Sequence, residues 1–121
     1  YAFIAHPDVY GVCLDRWDRE AETCARDILA AAADTKTPLE INGNGLRKRP
    51  IFTSEGERKP YPWKPFWELA AEYPVTVLCN SDAHRPEDAL QGLPELHAIA
   101  EDCKLTLADL SYLEPANQAA A

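Results

Sequence analysis

Three short polar segments carry residue types suited to chemistry. His6-Pro7-Asp8 follows an apolar stretch. Glu40-Ile41-Asn42 runs into Gly43-Asn44-Gly45. Asn80-Ser81-Asp82-Ala83-His84-Arg85-Pro86 follows the run Val75 to Cys79. The last segment is the sharpest. A carboxylate and an imidazole at i, i+2 just past a strand face one point only where the backbone turns, and the pair is a common ligand set for divalent Zn, Mn or Fe. His6, at another strand end, offers a third ligand of the same kind. Taken alone, Asp82 serves equally well as the N-cap of a helix opening at Pro86, and His84 as a packing residue. Two strand ends and a cationic loop nearby turn the reading toward a divalent metal held by His6, Asp82 and His84.

The charge of the 121-residue chain is uneven. Net charge is −8, from 20 acidic and 12 basic residues. Residues 43–64 hold six basic side chains (Arg47, Lys48, Arg49, Arg58, Lys59, Lys64) against Glu55 and Glu57, which makes that stretch +4 and leaves −12 for the remainder. An acidic body excludes a duplex nucleic acid partner, whose phosphates need a basic face. A local cationic loop on such a body suits a small anion. The four cysteines, Cys13, Cys24, Cys79 and Cys103, show no C-x-x-C spacing. Three of them lie in apolar segments, where a free thiol acts as a small hydrophobe. The expectation is a reducing, cytoplasmic protein with neither disulfide nor structural zinc. No apolar run approaches the roughly 20 residues of a membrane-spanning helix. The chain has no Met, and its first residues, Tyr1 to Ala5, look like a strand already under way. That pattern is expected of a piece of a larger protein.

The elements that must position these residues follow from periodicity and breakers. Residues 1–5 are expected to form a short buried strand ended by Pro7. Trp17, Ala21, Cys24, Ile28 and Ala32 recur at helical spacing, so residues 18–33 are expected to be a helix capped by Asp15 or Asp18. Residues 37–42 are a second strand. Residues 46–63, with Pro50, Pro60 and Pro62, are expected to be a long basic loop at the strand rim, of the length that often serves binding. Pro65 opens a helix to about Tyr73, with Phe66, Trp67 and Ala70 inward. Val75 to Cys79 has the continuous apolar pattern of a parallel strand buried on both sides. Helices are expected at 86–91 and 94–103, a short strand at 104–107, and a frayed tail over 114–121. The order β-α-β-α-β-α-α-β makes an α/β protein whose strand ends share one edge.

The segments Ile4 to Asp8, Pro38 to Asn42 with Gly45-Leu46-Arg47-Lys48, and Asn80 to Pro86 resemble the polymerase and histidinol phosphatase (PHP) superfamily, most closely its histidinol-phosphatase-type members. The resemblance covers nearly the whole chain and matches the C-terminal half of that domain. It implies a distorted (β/α)7 barrel with two or three metals at its C-terminal rim, and hydrolysis of a small phosphate monoester. It implies metal ligation by His6, Asp82 and His84, with Arg47 on the substrate phosphate. Glu40 and Asn42 would orient ligands or contact substrate, and Arg85 would assist with the phosphate. Paired metals fit this chemistry, because they make a nucleophile from water and clamp phosphate oxygens. The family's H-x-H motif is missing: the three histidines are His6, His84 and His97, the last expected on the surface. These 121 residues alone are therefore expected to be inactive or nearly so. Two other readings remain: a non-catalytic module that self-associates through open sheet edges, and a nuclease or phosphodiesterase of the same superfamily.

Overall fold

The computed structural model describes residues 2–111, so the tail expected over 114–121 lies outside the described residues. A 3-10 turn at Val9–Cys13 precedes the helix α1 (Arg19–Thr35), and the strand β1 (Leu39–Asn42) follows. Next come a one-turn helix α2 (Asn44–Arg47) and a hairpin of β2 (Ile51–Thr53) and β3 (Gly56–Arg58). The remaining elements are α3 (Lys64–Ala70), β4 (Thr76–Asn80), α4 (Leu93–Asp102) and β5 (Thr106–Leu107), with a 3-10 turn at Pro86–Asp88. The architecture is mixed α/β. A parallel sheet in the order β1-β4-β5 is flanked by helices, and the described residues form no closed barrel.

Several expected elements are redrawn. The first strand shrinks to a single parallel bridge between Ile4 and Leu39, with Ile4 N–H donating to the Pro38 carbonyl and the Ile4 carbonyl accepting from Glu40 N–H. His6, with φ 28°, turns the chain out of extended geometry only two residues later. The expected long loop holds α2 and the β2–β3 hairpin, whose turn is made by Gly56 at φ 113°. That φ lies in a region where a Cβ is strained, so glycine is the residue that lets the hairpin reverse. The helix expected at 86–91 is only the 3-10 turn at 86–88.

Helix α1 starts at the expected cap. The Asp18 carboxylate accepts from Ala21 N–H, and Glu20 and Glu22 sit in the first turn, where the helix dipole favours them. Its buried stripe is Ala21, Ala25, Leu29 and Ala32, while Cys24 and Ile28 are only half-buried. Small alanines let α1 pack closely against α3. Phe66, Trp67, Leu29, Leu39, Ile41, Val77 and Leu96 then fill the space between helices and sheet. All four cysteines are free thiols.

The sheet has two different faces. Side chains alternate along a strand. Leu39, Ile41 and Val77 enter the helix-facing core, whereas Glu40 and Asn42 point the other way, where they are nonetheless buried. The register pairs Asn42 with Asn80, so β1 and β4 end level. β4, read as buried on both sides, is so at Val77 and Leu78, whose side chains point to opposite faces, and it turns polar only at its end, Asn80.

A second buried polar group anchors the first segment. Asp8 is fully buried, and its Oδ2 accepts from Trp63 N–H (2.7 Å) and Trp67 Nε1–H (2.9 Å), while Oδ1 has no partner. Burial outweighs these two hydrogen bonds and pushes the carboxyl from 3.8 up to about 6. Folded Asp8 thus keeps its proton up to about pH 6, whereas the unfolded chain releases it near 3.8. Between those values the folded state binds more protons, so stability falls as pH rises and the loss is complete above about 6. Chemical denaturation across this range is expected to show a decline of about 3 kcal/mol for the native chain, and Asp8→Asn is expected to flatten it. An unchanged slope in the variant would assign the decline to other groups.

Candidate functional site

The carboxyl ends of β1 and β4 gather His6, Glu40, Asn42, Asn80 and Asp82 into one hydrogen-bonded cluster. Glu40 lies at its centre, only 2% exposed. Its Oε1 accepts from His6 N–H (2.9 Å) and from Asn42 Nδ2 (2.8 Å), and its Oε2 from Asn80 Nδ2 (2.6 Å). A buried carboxylate is tolerable only when its lone pairs are met in this way. Asn42 Nδ2 also donates to Asp82 Oδ2 at 3.1 Å, and Asn42 Oδ1 accepts from Asn44 N–H, which starts α2. One amide therefore links the Glu40 carboxylate to the Asp82 carboxylate and sets the turn that follows β1.

Two of the expected metal ligands share an unusual backbone. His6 (φ 28°) and Asp82 (φ 51°) both lie in the left-handed region. Such conformations carry a cost for residues with a Cβ and tend to cluster at functional sites. Each is held by side chains around it. Glu40 grips His6 N–H, and Asn80 Oδ1 accepts from Asp82 N–H at 3.1 Å. His6 Nδ1 is buried and has no hydrogen-bond partner among the described residues. Its ring sits 5.9 Å from that of Tyr61. His84 is exposed, and its Nδ1 lies 2.9 Å from the Asp82 carbonyl oxygen. His97 is exposed on α4, as expected. Among the described residues no group of three or more His, Cys, Asp or Glu side chains is placed to hold a metal ion. The donors His6 and Asp82 thus suit a divalent ion in type, and the set is short in number.

Arg47 braces the turn after β4. Its Nη2 donates to the carbonyls of Ser81 (2.8 Å) and Asp82 (2.9 Å), and its Nη1 lies 3.4 Å from the Gly43 carbonyl. Its Nε is 3.7 Å from Asp88 Oδ2. Asp88 is buried, and the same carboxylate receives Arg85 Nε at 3.3 Å. Arg85 is itself largely exposed and also faces Glu87 at 3.6 Å. Ser81 Oγ donates to the Ala89 carbonyl, closing the loop between β4 and α4. Much of the Arg47 guanidinium is therefore committed to backbone carbonyls, and Arg85 is the more accessible of the two.

Three residues that hold the cluster had no role legible in the sequence. Asn80 opened the sharpest segment without one, and Asp88 lay outside every segment singled out. Asp8 stood beside a recognised histidine, but its partners, Trp63 and Trp67, lie 55 and 59 residues away.

Glu40→Gln replaces one acceptor oxygen with a donor amide opposite three donors. It is expected to cost about 1–3 kcal/mol in denaturant unfolding. Arg47→Lys keeps the charge but cannot serve two carbonyls and Asp88 together. It is expected to lose about 2 kcal/mol, and a neutral effect would show that the brace contributes nothing.

No model of a known protein family matches the chain, and no curated protein matches it.

Proposed function

We propose that this chain is part of a metal-dependent phosphoesterase, a histidinol-phosphatase-like member of the PHP superfamily, which hydrolyses a small phosphate monoester. The observation that carries this reading is His6, whose backbone is fixed by Glu40 and whose buried Nδ1 lacks a partner, in the same strand-end cluster as Asp82. A buried nitrogen without a hydrogen bond is costly unless something else occupies its lone pair or proton. The parallel sheet, with this cluster at its carboxyl edge, supports the reading as one part of a (β/α)7 barrel. His6 and Asp82 would hold the ion, with His84 as the third candidate. Further ligands would have to come from outside the described residues. A bound divalent pair supplies an activated water and neutralises phosphate charge. Glu40 and Asn42 do not need to touch substrate for this: they fix His6 and aim Asp82. Arg47 holds the Asp82 turn, and Arg85, two-thirds exposed, is the guanidinium better placed to reach a phosphate.

Calorimetric titration with Zn2+ or Mn2+ is expected to show one weak site on the 121 residues. His6→Ala and Asp82→Asn are each expected to abolish it. Hydrolysis of p-nitrophenyl phosphate by these residues alone is expected at background. A longer gene product that supplies the missing His and Glu ligands is expected to hydrolyse it in a metal-dependent manner. Metal affinity unchanged in both variants would overturn the ligand assignment. A preference for a nucleotide diester would move the reading to a nuclease or phosphodiesterase. Stable oligomers that bind no metal would support the self-associating module.

A further inference from the structure

The opposite edge of the sheet, where α1 ends and β1 and β4 begin, holds a cavity of about 400 Å³. That is more than double the roughly 150 Å³ of a cavity that accepts benzene, and it falls within the size range of small-ligand pockets. Its apolar walls are Ala32, Ala33, Pro74 and Val75. Ala32 and Val75 belong to the hydrophobic core, and Ala33 packs against it. The space follows from the way α1 stops. Lys36 adopts φ 54°, its N–H donates to the Ala33 carbonyl (3.2 Å), and Thr37 N–H donates to the Ala32 carbonyl (3.0 Å). This left-handed ending turns the chain away toward β1. The small side chains of Ala32 and Ala33 then leave the gap beside β4 unfilled.

The charge of the lining sets this cavity apart. The chain carries 20 acidic residues, and four other cavities among the described residues are each lined by at least one Asp or Glu. This one is lined by no acid and by one cation, Lys36, together with Thr37 and Thr76. Lys36 is exposed, so its ammonium keeps contact with water at the mouth while the walls below it are apolar. An apolar interior with one cation and two hydroxyls is complementary to a molecule with an apolar body and one negative charge.

We propose that this cavity binds a small amphipathic carboxylic acid, with its apolar body against Ala32, Ala33, Pro74 and Val75 and its carboxylate at Lys36. Burial of the apolar body supplies the driving force, and the lysine selects the head group. One lysine balances one negative charge. A carboxylate carries one, whereas a phosphate monoester carries about 1.5 to 2 at neutral pH and would call for further cations. The site lies at the amino ends of the strands, away from His6 and Asp82, so it stands apart from the phosphoesterase reading and needs no metal.

The test is NMR titration of the chain with octanoate, and in parallel with octanol and octylammonium. Saturable shifts are expected with octanoate at the amides of Ala33, Lys36, Thr37, Val75 and Thr76. Octanol is expected to bind about tenfold more weakly, and octylammonium more weakly still. Glycine accepts a φ of 54° without strain, so Lys36→Gly is expected to keep the fold and to bring octanoate down to the affinity of octanol. Ala33→Leu, which fills the cavity from a helical position, is expected to abolish binding of both. A matching amide spectrum checks the fold of each variant, and Lys36→Gly decides the outcome where Ala33→Leu fails to fold. Octanol binding as tight as octanoate, or octanoate affinity indifferent to Lys36→Gly, would overturn the proposal. Shifts centred instead on the exposed Phe52, Leu90 and Leu107 would mark non-specific apolar adsorption and would also overturn it. If the same cavity amides shift on simple dilution, a second copy of the chain occupies the cavity, and the small-ligand assignment falls.

Discussion

The strand-end architecture depends on one buried carboxylate. Glu40 takes three donors from three different stretches of chain: His6 on the opening segment, Asn42 on its own strand, and Asn80 on β4. A carboxylate taken out of water must recover its lost solvation from such donors. Because each donor sits at the end of an extended segment, satisfying Glu40 also levels the strands. The parallel register of Asn42 with Asn80 and the lone bridge at Ile4 are consistent with that demand. The polar face of the sheet is therefore ordered by charge, while the opposite face is ordered by apolar packing of Leu39, Ile41 and Val77 against the helices.

A second tier secures the turn that carries Asp82. Arg47 reaches across from α2 to two carbonyls of that turn and is itself faced by buried Asp88. Asp88 in turn faces Arg85, so a single carboxylate orients one arginine inward and one toward solvent. A third, separate anchor is Asp8, which ties the His6 segment to Trp63 and Trp67 on the approach to α3 and on α3 itself. His6 is thus fixed from two sides, by Glu40 at its backbone and by Asp8 two residues on.

The legible parts of the fold were those with local signatures. The apolar run at 75–79, Pro65 at the start of a helix and the Asp18 cap all appear where residue types alone place them. The convergence of Glu40, Asn42 and Asp82 followed from parallel topology, which brings strand ends to one edge. What was not legible was direction. A basic residue in a turn reads as available to an anion, yet Arg47 folds back onto carbonyls whose identity only the tertiary structure supplies. The contact stripe of α1 was read correctly at Ala21 and Ala32 and one residue early between them, at Cys24 and Ile28 where Ala25 and Leu29 are the buried pair, because a spacing of three or four fits both faces equally well. The hairpin was hidden among prolines, since three-residue strands are too short for alternation to stand out. The opening strand failed for a different reason: an apolar run is only a strand where a neighbour continues alongside it.

The left-handed backbone at His6 and Asp82 has an evolutionary consequence. Both positions would be easier for glycine, which adopts positive φ without a Cβ clash. Selection for stability alone would thus favour replacing the two side chains best suited to chemistry. Lys36 and Lys104 hold similar angles without any place in the cluster, so what sets His6 and Asp82 apart is that side chains of the cluster, Glu40 and Asn80, grip their backbone N–H groups and meet the cost of the conformation locally.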